Sequence, residues 1–135
     1  MTYNRAYFII GVVLTLHAAG LIFGFYGTIP SYDIPMHFGG GFAMGALALA
    51  IWGQGVERIH FKGRFAKHLK WWLVPLFVLG FVALISIAWE VHEYALDMLL
   101  TDGVSRQLSI DDTMGDFLFD LSGGIVAILI YYARS

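Results

Sequence analysis

Four stretches of this chain each run for about 20 residues with scarcely a charge, long enough for a helix to cross a hydrocarbon core of about 30 Å at about 1.5 Å per residue. They extend from about Ala6 to Tyr26, Ile34 to Trp52, Trp71 to Leu100 and Thr113 to Tyr132. None alternates polar with apolar, so they read as helices rather than as barrel strands. The expected fold class is all-α: a polytopic integral membrane four-helix bundle, with residues 1–135 as one transmembrane domain. Composition agrees, because only 13% of the residues are charged, about half the share that keeps a soluble domain wet. High hydrophobicity excludes disorder. A net charge of -2 gives no reason to expect nucleic acid as a partner. With no cysteine in the chain, disulfides, thiolate metal sites and cysteine nucleophiles are all excluded.

Basic residues set the expected orientation. Arg58, Lys62, Arg64, Lys67 and Lys70 lie between the second and third spans, and Arg5 and Arg134 lie at the termini. Arg106 alone is on the other side. The positive-inside rule then predicts both termini in the cytoplasm, in a bacterial or archaeal cytoplasmic membrane. The first span follows Arg5 like a signal peptide, but its length and the three later spans predict a retained helix. Residues 53–70 read as a polar loop. Gly20-x-x-x-Gly24 and Gly41-x-x-x-Gly45 read as ordinary helix packing. Trp71, Trp72, Trp89, Tyr94, Tyr131 and Tyr132 read as interfacial anchors.

The acidic residues follow a different pattern. Nine of the ten carboxylates fall at or near one membrane face, Glu57 being the exception. Residues three or four apart share a helix face. Asp33 and His37 are four apart, with Pro35 suited to a helix's first turn. Glu90, Glu93 and Asp97 are spaced three and four, and Asp112, Asp116 and Asp120 four and four. Glu90, Glu93, Asp116 and Asp120 lie inside spans, where unpaired charge on all four costs roughly 10 kcal/mol. No lysine or arginine lies within a span to offset it. Compensation then falls to a cation, protonation, histidine, Arg106 turned inward, or water.

Carboxylates with one imidazole suit a divalent metal: Mg, Mn, Zn or Fe, or Ca for an all-oxygen site. The expected ligands are Asp33, His37, Glu90, Asp112, Asp116 and Asp120, with Asp120 below the others. Glu90 and Glu93 are the candidate catalytic bases. The Glu-x-x-His pattern of di-iron bundles is missing, since His92 is two residues from Glu90 and next to Glu93. His17 reads as a hydrogen-bonded packing histidine, and His92 as pointing away from the stripe. His60 and His68 belong to the basic loop. Asp112 and Thr113 read as caps of the last helix. Ser122, Gly123 and Gly124 read as packing residues.

Three motifs carry a family resemblance. Tyr32-Asp33-Ile34-Pro35-Met36-His37-Phe38, Trp89-Glu90-Val91-His92-Glu93-Tyr94 and Asp112-Thr113-Met114-Gly115-Asp116 resemble, in order and spacing, those of the YjdF-like inner-membrane proteins. The likeness covers about residues 32 to 130. More distantly the chain is similar to VanZ-like proteins, which share an Asp-x-x-x-His start and a glycine-ended acidic last helix. The resemblance implies a compact helical bundle with Asp33, His37, Glu90, Glu93, Asp112 and Asp116 as its polar set. It implies no reaction, and Asp120 departs from the pattern. The chain is shorter than is usual for the family, which leaves room for a homo-oligomer or a membrane partner subunit.

Three functions follow. One is an enzyme whose metal–carboxylate site, at headgroup depth, acts on a membrane lipid or other amphiphile. The second is cation or proton transport or sensing. The third is a non-catalytic accessory subunit.

Overall fold

The computed structural model describes residues 1–56, 64–100 and 109–134. Among them there is no strand, and the elements run α1 (Tyr3–Ile22), α2 (Phe25–Thr28), α3 (Asp33–Gln54), α4 (Arg64–Leu100) and α5 (Ile110–Ala133). Four helices are long and apolar enough to cross a membrane. Large apolar side chains such as Phe8, Ile22, Leu76 and Leu129 stand exposed on them. A watery surface tolerates few such patches, whereas lipid favours them. Glu57, Arg58, His60, Lys62, Asp102 and Arg106 lie outside the described residues.

Helix α3 occupies the centre and packs on α5, α1 and α4, most extensively on α5. The close α3–α5 contact depends on small residues. A Cβ on Gly41 would fall on the backbone of Asp120, and Gly45 meets Gly124 and Ala127. Gly41-x-x-x-Gly45 is thus a packing seam. On α4, Val74, Val78, Val82, Ser86 and Glu90 are all buried. Their spacing of four makes one stripe along the helix. Its apolar part joins Leu49 and Trp52 of α3 and Ala127 and Ile128 of α5 in the main core.

Several boundaries differ from the sequence reading. The first long helix ends at Ile22 rather than Tyr26, because Gly24 takes a left-handed φ of 69°. A residue with a Cβ seldom adopts that conformation, so Gly24 serves the turn rather than helix packing. Residues 64–70 are helical rather than loop, so α4 begins before the apolar run does. Pro75 sits inside α4. A proline has no N–H for the carbonyl four residues back. That carbonyl belongs to Trp71, and the Tyr132 hydroxyl donates to it at 3.0 Å. Helix α5 starts at Ile110, capped by Ser109, whose Oγ accepts the Asp112 N–H at 3.1 Å. Neither Asp112 nor Thr113 is the cap; both lie in the first turn.

Candidate metal centre

Helix periodicity builds the site. Asp33 opens α3 and His37 follows one turn later, so their side chains meet, with His37 Nε2 3.4 Å from Asp33 Oδ1. Asp116 and Asp120 occupy successive turns of α5, on the face against α3. Asp116 Oδ1 lies 3.6 Å from the same Nε2. His37 Nδ1 points the other way and donates to Asp120 Oδ2 at 3.4 Å. The Ser86 hydroxyl of α4 donates to that same oxygen. His37, Ser86, Asp116 and Asp120 are buried, and Asp33 is the open edge, its side chain 38% exposed.

The imidazole is therefore held from both sides. An ionised carboxylate only accepts hydrogen bonds, so the Asp120 contact requires the proton on Nδ1. Nε2 is left facing Asp33 and Asp116. One ligand atom from each of Asp33, His37 and Asp116 lies within 4.8 Å of the others.

A cavity of about 180 Å³ opens beside this cluster. Asp33, His37, Ser86 and Asp120 of the cluster line it, together with His17, Tyr26, Trp89 and Glu93. The His17 Nδ1 and the Tyr26 hydroxyl are hydrogen-bonded at 2.6 Å. The His17 ring meets Trp89 edge to face at 5.2 Å between centroids. Trp89 Nε1 in turn donates to Glu93 Oε1 at 3.0 Å. The turn at Gly24 produces this wall by returning Tyr26 toward α1. Burial pushes the Tyr26 phenol above its ordinary pKa, and the charge of Asp33 adds to the effect.

The expected site residues thus separate into groups. Asp33, His37, Asp116 and Asp120 meet directly. Asp120 contacts the imidazole itself rather than lying apart below it. Glu93 faces the cavity, whereas Glu90 continues the buried stripe of α4 and is not among the cavity's lining. Glu90 and Asp112 act on Asp116 by charge. His92 is exposed, its ring tilted against Trp89 at 5.6 Å between centroids. Ser86, Tyr26 and the cavity-lining position of His17 and Trp89 did not emerge from the sequence. For Ser86 a signal existed: it is the one polar residue between Leu73 and Ala88, four before Glu90.

Residues 2–135 fit the family described as "Predicted membrane protein (DUF2238)". The chain belongs to that family. An "Uncharacterized protein" of Thermotoga maritima is 30% identical over 120 residues, which cover 88% of this chain and 57% of the relative. The chain thus spans little more than half the length of the curated relative it matches. No solved structure matches it. As a DUF2238 member it is a membrane protein, and its carboxylate–histidine centre comes from α3 and α5, the two most closely packed helices.

Proposed function

We propose that the protein binds a divalent metal ion through His37 Nε2, Asp33 and Asp116, and uses it on a ligand held in the adjoining cavity. The arrangement of His37 supports this most directly. One ring nitrogen donates to a carboxylate while the other faces two more carboxylates, as in a carboxylate–histidine–metal triad. Two ligands about 2.0–2.1 Å from a tetrahedral ion stand about 3.3–3.4 Å apart. The separations from Nε2 of 3.4 and 3.6 Å are of that size.

In this reading Asp120 is a positioning carboxylate rather than a ligand, since its Oδ2 is committed to His37 and Ser86. A divalent ion polarises an oxygen donor bound to it. Glu93, which lines the cavity, takes the role of base, and the charge of Glu90 adds to the negative field at Asp116. The motifs at Tyr32–Phe38, Trp89–Tyr94 and Asp112–Asp116 support placing the protein among the YjdF-like members of its family. The more distant VanZ-like likeness adds nothing to this reading.

Metal analysis and calorimetry test it. Chelator-stripped protein in detergent should bind about one equivalent of Zn²⁺ or Mn²⁺, and Asp116→Asn should remove that binding. Full-strength binding to Asp33→Asn and Asp116→Asn alike would defeat the reading. His37 would then serve a proton-linked or structural role among the carboxylates.

A further inference from the structure

The cavity beside the centre is graded from one end to the other. On α4, Glu93 and Trp89 lie at one end, with Ile85 and Val82 toward the other. On α3, Asp33 and His37 give way to Ala43 and Met44. On α1, which runs the opposite way, His17 is succeeded by Val13 and Ile10. All three helices agree in direction. The long axis therefore runs along the helices, and the eleven residue steps from Glu93 to Val82 correspond to about 16 Å of it.

The cavity also has a side opening. Helices α1 and α4 each lean on α3 and scarcely on one another. Their meeting is the His17–Trp89 ring contact at the polar end. Below it, Leu14 and Ile85 line the cavity while remaining 54% and 36% exposed. A gap between two membrane helices opens onto lipid, not onto water. Its size is also informative: an apolar cavity of about 150 Å³ holds benzene, so about 180 Å³ admits a chain segment of roughly six carbons.

We propose that this cleft receives the alkyl chain of a membrane amphiphile, entering sideways between α1 and α4, and delivers its phosphate head to the His37 centre. The proposal rests on the metal reading above. Asp33, Asp120 and Glu93 line that end with Asp116 beside them, and among the described residues no lysine or arginine lines the cavity. A phosphate is repelled there unless a divalent ion supplies the opposing charge. A bound ion with three protein ligands keeps a position for a phosphate oxygen. The chain then gives affinity through apolar burial, and the head gives register.

Calorimetry on the full chain in phosphatidylcholine nanodiscs, with empty nanodiscs as blank, tests both parts. Mn²⁺ is titrated first, then octyl phosphate or inorganic phosphate into the Mn²⁺-loaded protein. Octyl phosphate should bind at least tenfold tighter than inorganic phosphate. The double variant Leu14→Trp/Ile85→Trp fills the opening from its exposed rim. It should bind Mn²⁺ and inorganic phosphate as the parent does and lose the tenfold preference. Normal Mn²⁺ binding with no preference for the alkyl probe would overturn the cleft and leave the metal site standing. An undiminished preference in the double variant would overturn the cleft as well. No Mn²⁺ binding in the parent would remove the metal reading, and the phosphate proposal with it.

Discussion

Asp120 holds His37 from behind, its Oδ2 accepting from Nδ1 at 3.4 Å, so the opposite nitrogen faces Asp33 and Asp116. Removing such an outer partner lowers metal affinity about 10- to 100-fold in known sites. Asp120→Asn should produce a loss of that order in Zn²⁺ calorimetry. Asp116→Asn, which removes a ligand, should leave no measurable heat. Equal affinities for the parent and Asp120→Asn would show that the carboxylate does not position the imidazole.

Metal that binds only the folded state adds about 2.7 kcal/mol when free ion is 100 times the dissociation constant. Chelation should therefore lower the melting temperature in detergent, and readdition should restore it. In Asp116→Asn the two curves should coincide. Glu90→Gln should keep the difference, because Glu90 lies on the buried stripe of α4 rather than in the three-residue ligand group. Loss of the difference in Glu90→Gln would return Glu90 to the ligand set.

The site also depends on how closely α3 approaches α5. A side chain on Gly41 would overlap the backbone of Asp120, separating the helix that carries His37 from the one that carries Asp120. Overpacking of this kind typically costs about 1–3 kcal/mol. Gly41→Val should lower both thermal stability and metal affinity. Gly80→Ala is the control, as a Cβ at Gly80 meets nothing within 4 Å. Helix propensity then favours alanine by about 0.5–1 kcal/mol. A stable Gly41→Val protein with parental metal affinity would contradict the close approach.

Contacts within one helix were legible from spacing, as was the grouping of Asp33 and His37 with Asp116, whereas the other pairings between helices were not. The contact of Asp33 with His37, and the placing of Asp116 and Asp120 on one face of α5, follow from the four-residue repeat. The repeat does not fix which way a helix turns about its axis. Ser86 reaches Asp120 across 34 positions, and that pairing depends on the core stripe of Val74, Val78 and Val82 facing α5. The same stripe draws Glu90 inward and away from the cavity, a separation from Glu93 that a shared helix face conceals. A continuous helix to Tyr26 would hold His17 and Tyr26 more than two turns apart. The left-handed turn at Gly24 brings them together. Residues 64–70 read as loop because their polarity hides helix formation next to an apolar span.

Tyr132 and Pro75 are expected to be coupled through the Trp71 carbonyl. Proline leaves this carbonyl without its helical donor, and the Tyr132 hydroxyl supplies one at 3.0 Å. Tyr132→Phe should cost about 1 kcal/mol, an ordinary hydrogen-bond contribution. Pro75→Ala restores the backbone N–H, so in that background Tyr132→Phe should cost much less. A double-mutant cycle on unfolding in detergent reads the difference. Strictly additive effects would mean that the Tyr132 hydroxyl does not act through the Trp71 carbonyl, leaving ring contacts such as its stack on Trp71.

Stability should depend on alkaline pH through Tyr26. Its phenol is raised above the ordinary value, first by burial and then by the charges of Asp33 and Glu93. In the unfolded chain it ionises near its ordinary pKa of about 10. The folded state therefore holds a proton that the unfolded state releases. By linkage, the stabilising contribution of Tyr26 is complete below about pH 10 and declines as pH rises above it. Between about pH 9 and about pH 11 the unfolding midpoint of the parent should fall more steeply than that of Tyr26→Phe. Phenolate absorbance provides a second readout. Over that interval the folded parent and folded Tyr26→Phe should release the same number of phenolic protons, because Tyr26 keeps its own. After unfolding, the parent should release one more. Equal alkaline slopes together with one extra phenolate in the folded parent would mean that the Tyr26 hydroxyl is open to solvent, against its placement on the cavity wall beside His17.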